Sequence, residues 1–114
     1  MNTATRKAKG KRLQKLVCKL ILKYHAILED KDVQSIRMGR KGEDIQLSEK
    51  AKKIIPYSIE CKNQEKMKYL WDAYEQAVAN SEQLEPMVVL KINQKKPLVL
   101  IDAEHFFELQ ANRK

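Results

Sequence analysis

Residues 57–62 read Tyr57-Ser58-Ile59-Glu60-Cys61-Lys62. A period of two places Ser58, Glu60 and Lys62 on one face and Tyr57, Ile59 and Cys61 on the other. The spacing predicts a strand that carries two opposite charges among β-forming apolar residues, where charge needs a reason. Upstream, residues 33–38 (VQSIRM) and 44–47 (DIQL) are also β-compatible. Gly39-Arg40-Lys41-Gly42 between them supplies turn residues, which predicts a hairpin. Ser48 then opens a small helical stretch, Ser48-Glu49-Lys50-Ala51, that must end before Pro56. Asp44 thus begins one strand, and Glu60 and Lys62 stand on the next.

On the N-terminal side, Leu13, Leu16, Val17, Leu20, Ile21, Tyr24, Ile27 and Leu28 recur at three- and four-residue spacing, predicting an amphipathic helix from Gly10 to Leu28. At about 100° per residue, Arg12, Lys15, Lys19 and Lys23 gather on its opposite side. On the C-terminal side, Glu65 to Asn80 predicts a second helix with Met67, Leu70, Trp71, Tyr74, Ala77 and Val78 as its buried stripe and Trp71 as a core anchor. Met87–Ile92 and Leu98–Ile101 are dense in β-formers around the polar turn Asn93-Gln94-Lys95-Lys96-Pro97, a second hairpin. Asp102 to Leu109 closes the chain as a short helix, with Phe106, Phe107 and Leu109 directed to the sheet. The element order is αβββα followed by ββα.

A length of 114 residues with 43% hydrophobic and 33% charged residues, 3 Gly and 3 Pro favours one folded domain over linker-like or disordered classes. No apolar run reaches the roughly 18 to 20 residues of a membrane helix and no signal-peptide core precedes the first helix, so the expectation is a cytoplasmic protein with no membrane partner. Cys18 and Cys61 form no disulfide framework or zinc spacing and are expected to pack as small hydrophobes. Residues 1–23 hold Arg6, Lys7, Lys9, Lys11, Arg12, Lys15, Lys19 and Lys23 and no acid. The remainder balances at 15 of each sign, so the formal charge of +8 is entirely N-terminal. Such a concentrated positive surface attracts polyanions and gains from counterion release on nucleic acid. A solvated face that only aids solubility would be written the same way.

Carboxylates such as Asp44 and Glu60 offer hard oxygens to Mg²⁺, which is normally held by one or two carboxylates with the rest of its octahedron left to water and phosphate. The Cys61 carbonyl is a further oxygen. Lys62 supplies a cation on the face of Glu60, suited to orienting a water or offsetting charge on a phosphate. Glu-x-Lys alone is weak, since a surface ion pair produces the same letters.

Three segments resemble the PD-(D/E)XK nuclease superfamily and, within it, the small Holliday-junction resolvase-like proteins, including phage-encoded ones. They are Lys9-Gly10-Lys11-Arg12-Leu13-Gln14, Met38-Gly39-x-x-Gly42-Glu43-Asp44-Ile45, and Ser58-Ile59-Glu60-Cys61-Lys62-Asn63 followed by a helix with Trp71 and Gln76-Ala77. The resemblance implies an α/β (α+β) fold with a restriction-endonuclease-like αβββαβ core, a mixed central sheet flanked by helices. It covers most of the chain and implies a single domain over residues 1–114 with a basic tail over about 1–9. It implies that Asp44 and Glu60 hold Mg²⁺, with Mn²⁺ able to substitute and the Cys61 carbonyl assisting, and that Lys62 is the catalytic lysine. Gln76 resembles a helical glutamine of several branches, and Glu43 is a secondary candidate that alternation turns away from Asp44. Archaeal resolvases carry a glutamate in the first helix where this chain has Gln14, an amide that brings no charge but can still ligate or hold a water.

The implied activity is metal-dependent hydrolysis of phosphodiesters in branched DNA, most naturally four-way junctions, by a symmetric homodimer, with no small-molecule cofactor. Arg37, Arg40 and Lys41 flank Asp44 and would hold the cut strand by its phosphates, beside Arg6, Lys7, Lys9, Lys11, Arg12, Lys15 and Lys19 of the N-terminal region. Lys91, Lys95 and Lys96 could extend that surface or simply form a solvated turn. A nicking or flap-cutting relative and a non-catalytic nucleic-acid-binding module are the competing readings. His25 and His105, with no ligand partner at helical spacing, read as structural.

Overall fold

The computed structural model describes residues 3–36 and 44–112, so the expected roles of Arg37, Arg40, Lys41 and Glu43 fall outside the described residues. The chain is mixed α and β: α1 (Thr3–Tyr24), β1 (Val33–Ser35), β2 (Ile45–Leu47), α2 (Glu49–Ile54), α3 (Lys68–Asn80), β3 (Val88–Leu90), β4 (Leu98–Leu100) and α4 (Ala103–Ala111). It divides into two compact units, residues 1–63 with 107–114, and residues 64–106.

In the first unit, α1 packs against β1 through a stripe of Gln14, Cys18 and Ile21 that is continued by His25. These residues follow one another at four-, three- and four-residue spacing, one face of a helix. The helix starts at Thr3, so Arg6, Lys7 and Lys9 are helical residues and not a tail. Ala, Lys and Arg propagate a helix well, and the lone Gly10 is tolerated. It stops at Tyr24, short of the expected Leu28, where His25 Nδ1 lies 2.8 Å from the Ile21 carbonyl and the Leu28 N–H bonds the His25 carbonyl at 2.9 Å. Leu16 and Ile27, expected in the apolar stripe, are 52% and 63% exposed. Leu16 lies by helical phase among the lysines, and Ile27 lies beyond the last turn.

β1 and β2 pair antiparallel as Val33↔Leu47, Gln34↔Gln46 and Ser35↔Ile45. Val33, Ile45 and Leu47 point inward and join Ile21, Leu28, Ala51, Ile55 and Phe107 in the core. Ser48 caps α2, its hydroxyl accepting the Ala51 N–H at 3.1 Å and donating to Asp32 Oδ1 at 2.7 Å. Asp32 also accepts the Glu29 N–H through Oδ2 at 2.8 Å. These two bonds, chiefly that from the Glu29 N–H and then that from Ser48, hold the Asp32 carboxyl below its ordinary pKa. Glu29 and Asp32 stand at capping-box spacing, the local signal that marks Asp32 in the sequence.

The second unit contains α3, a single turn of 3-10 helix before it (Glu65–Met67), the β3–β4 hairpin and the first residues of α4. β3 and β4 pair antiparallel as Val88↔Leu100, Val89↔Val99 and Leu90↔Leu98. The described strands form two separate two-stranded sheets, where one mixed sheet was expected. The expected third strand over 57–62 is not formed, and these residues carry no regular secondary structure. Pro56 brings no N–H, and the Tyr57 N–H turns back on the Ile55 carbonyl at 2.9 Å. Trp71 and Val78, assigned to a buried stripe, are 52% and 47% exposed. One helix against one hairpin covers a single side of α3, which leaves these rings and methyls at the surface. Leu109 is likewise exposed, and Gln110 takes the inward position on α4, its amide donating to the Ile54 carbonyl.

Candidate active site

Asp44 sits just ahead of β2, where its backbone and side chain serve different neighbours. Its carbonyl accepts the Ile36 N–H at 3.0 Å, extending the β1–β2 ladder, and its N–H donates to the Ile59 carbonyl at 3.0 Å. Its carboxylate Oδ2 accepts the Cys61 N–H at 2.6 Å. In a parallel ladder one residue donates to the carbonyl before its partner and accepts from the N–H after it. Asp44 reproduces that pattern against Ile59 and Cys61 with its carboxylate in place of its own carbonyl. A single residue thereby ties residues 59–61 to the hairpin. It also accounts for the absence of a regular strand, since a side chain makes the bond that a ladder would need.

The alternation expected for 58–62 is present: Ser58, Glu60 and Lys62 are exposed, while Ile59 and Cys61 are half-buried. Tyr57 departs from it, being 45% exposed, because the turn at Ile55–Tyr57 resets the phase. Lys62 Nζ lies 4.0 Å from Glu60 Oε1, and both side chains are more than half exposed. A contact this long and solvated holds neither group in place, so both are free to meet a ligand. Asp44 is half-buried beside them. None of the three residues is fully buried.

Cys61 lies between the two charged residues. Its thiol is pushed up to about 11, chiefly by burial and then by the negative charge of Asp44, with Cys18 and Glu60 adding to it. Burial likewise raises Cys18. Both are thiols at neutral pH, which removes them as nucleophiles and as thiolate ligands. The oxygens that remain, from the Asp44 and Glu60 carboxylates and the Cys61 carbonyl, are hard donors of the kind Mg²⁺ accepts. The Cys61 N–H fixes Oδ2 of Asp44 and so orients the carboxylate, as a hydrogen-bonded ligand requires. Among the described residues no group of three or more His, Cys, Asp and Glu side chains converges.

The α1 candidates divide by face. Gln14 is 3% exposed one turn before Cys18, whose thiol is close enough to Cys61 to disfavour its ionisation. Gln14 thus belongs to the buried side of the helix that backs this site. Arg6, Lys7, Arg12, Lys15, Lys19 and Lys23 are exposed, while Lys9 and Lys11 are half-buried. Gln76 is exposed on α3 in the other unit. His25 is engaged at the end of α1 through its ring, and His105 donates its backbone N–H to Asp102 Oδ2 at 2.8 Å. No helix among the described residues is long and apolar enough to cross a membrane. No family model, curated protein or solved structure matches the chain.

Proposed function

We propose that this chain is a divalent-metal-dependent endonuclease of the PD-(D/E)XK type that hydrolyses phosphodiesters in branched DNA, with a four-way junction as its substrate and a homodimer as its working form. The observation that carries the reading is the Asp44 carboxylate on the Cys61 N–H, which brings the first acid to the Glu60-x-Lys62 run. Asp44 and Glu60 would hold Mg²⁺ or Mn²⁺, with the Cys61 carbonyl as a further oxygen. When bound, the ion would polarise the phosphoryl group and lower the pKa of a coordinated water. Lys62, only loosely paired with Glu60, is free to steady the attacking water or the charge developing on the phosphate. The exposed cations of α1 give a rigid surface for DNA backbone, which carries affinity without base readout. Gln76 and Glu43 remain secondary candidates, and Arg37, Arg40 and Lys41 would grip the strand next to Asp44. A restriction-endonuclease-like core is part of the same proposal.

The exposed basic face of α1 would equally serve a binding module without chemistry. Junction, flap and duplex substrates offered side by side with Mg²⁺ separate the possibilities. Paired symmetric cuts in the junction alone support a resolvase. Cuts in the flap or single nicks point to another nuclease of the type, and binding without any cleavage points to the module.

A further inference from the structure

Where β4 gives way to α4, the chain borders a cleft of about 230 Å³ lined by Trp71, Tyr74, Leu100, Ile101, Asp102 and Ala103. All six residues belong to the unit formed by residues 64–106. Trp71 and Tyr74 stand three apart on α3, which makes them neighbours on one flank of the helix. Leu100, Ile101 and Ala103 add an apolar lining, and Asp102 adds a carboxylate.

The polar atoms of this cleft are only partly used. Asp102 Oδ2 caps α4 by accepting the His105 N–H at 2.8 Å, and the Asp102 carbonyl accepts the Phe106 N–H at 3.0 Å. Among the described residues, Asp102 Oδ1 and the Tyr74 hydroxyl have no hydrogen-bond partner, and no cation of the chain lies over the Trp71 or Tyr74 ring. The nearby charge has one sign. Glu85 Oε1 lies 3.8 Å from His105 Nδ1 on the first turn of α4. Burial raises the Tyr74 hydroxyl, and the negative charges of Asp102 and then Glu85 raise it further. Within a chain of formal charge +8, residues 64–106 hold seven acids against five lysines, and none of those lysines lines the cleft.

These features sort the possible guests. A helix start ordinarily favours an anion, but Asp102 already supplies that charge, so a phosphate would meet both Asp102 and Glu85. A neutral apolar guest would strip water from the carboxylate and replace it with nothing. An alkylammonium meets every requirement: its N–H groups can donate to the carboxylate and the hydroxyl, its charge is attracted to aromatic faces, and its methylenes suit the aliphatic lining.

We propose that this cleft binds an alkylammonium group, its head against Trp71, Tyr74 and Asp102 and its stem against Leu100 and Ile101. The site uses neither the Asp44–Glu60–Lys62 group nor the basic face of α1, so it goes beyond the nuclease reading and is tested apart from it. A free amine and a peptide lysine carry the same head, and titration distinguishes them. Trp71 is the sole tryptophan, so its emission reports on this cleft. Titrating the full chain with n-butylammonium chloride at constant ionic strength should change that emission saturably, in roughly the millimolar range. n-Butanol, sodium butyrate and inorganic phosphate should give no saturable change. Tighter binding of cadaverine than of a lysine blocked at both ends assigns a free amine, and the reverse order assigns a peptide lysine; both orders require the site. Asp102→Asn keeps an acceptor for the His105 N–H and should weaken butylammonium by about fivefold, the scale of one partly solvated charge pair. Tyr74→Leu, which removes a ring, should weaken it by about the same factor. The proposal is overturned by a wild type without a saturable response to butylammonium, by an equal response to butanol or phosphate, or by a folded Asp102→Asn chain that binds as the wild type does. Should Asp102→Asn lose the far-ultraviolet spectrum of the wild type, Tyr74→Leu decides, and its undiminished binding overturns the proposal.

Discussion

The Asp44 carboxylate accepts the backbone N–H of Cys61 at 2.6 Å, so an acid that opens one strand is held beside the run that carries Glu60 and Lys62. Together with the Asp44 N–H on the Ile59 carbonyl, this bond fastens the segment to the β1–β2 hairpin, which gives Asp44 a structural task beside the chemical one proposed for it. The two tasks can be separated by substitution.

Asp44→Asn keeps an acceptor for the Cys61 N–H but removes the charge that a cation needs. It should leave thermal stability nearly unchanged and lower junction cleavage by on the order of 10²- to 10³-fold, the usual cost of losing an electrostatic contact to a reacting group. Asp44→Ala should lose cleavage and also loosen the 59–61 segment, seen as faster amide exchange at Cys61. Equal exchange in both variants would show that the bond is not what holds the segment.

Cys61 yields a pH dependence. Its folded-state value of about 11 lies above the ordinary 9.0, so folding favours the thiol. The resulting stabilisation is complete below pH 9 and is lost as pH rises through about 11. The urea midpoint of the wild type should fall over that range more steeply than that of Cys61→Ala. Alkylation at pH 8 should be slow in the folded chain and become fast in urea.

The first hairpin, the second hairpin, the Ser48 cap and the period-two run at 58–62 were all legible because each is written locally, in alternation or in cap chemistry. What was not legible depended on partners far along the chain. Trp71 reads as core by helical spacing, yet spacing cannot say whether a second layer exists to cover it, and α3 has a hairpin on one side only. Leu16 satisfies the three-and-four pattern with its apolar neighbours, but its helical phase places it with Lys15 and Lys19. Of the candidate site, Asp44, Glu60 and Lys62 were found from residue type and strand parity. The carboxylate that replaces a ladder carbonyl was not, because that substitution is a matter of three-dimensional register.

Ser48 joins the α2 cap to Asp32, so Ser48→Ala removes two bonds at once. A fall in stability of about 1 to 2 kcal/mol is expected, at the upper end for a cap residue, measured by chemical denaturation. Because the paired strand β2 separates Asp44 from this cap, cleavage per folded molecule should stay within about twofold of wild type. A large loss of cleavage at full stability would mean that the cap positions the site.

The exposed cations of α1 should act through phosphate charge. Lys15→Gln with Lys19→Gln should weaken binding to junction and duplex alike and reduce the slope of log affinity against log salt by about one per lost contact. A change confined to one DNA sequence would argue instead for base readout.

The proposed site joins Asp44, Glu60 and Lys62 around a divalent ion. Its most direct test is cleavage of an end-labelled four-way junction in Mg²⁺ and in Mn²⁺ by the wild type, Glu60→Ala and Lys62→Ala, with binding measured on the same samples. The expected result is cleavage by the wild type alone, with all three proteins binding the junction comparably. A wild type that binds and never cuts with either ion, or a Glu60→Ala protein that cuts as the wild type does, would contradict it.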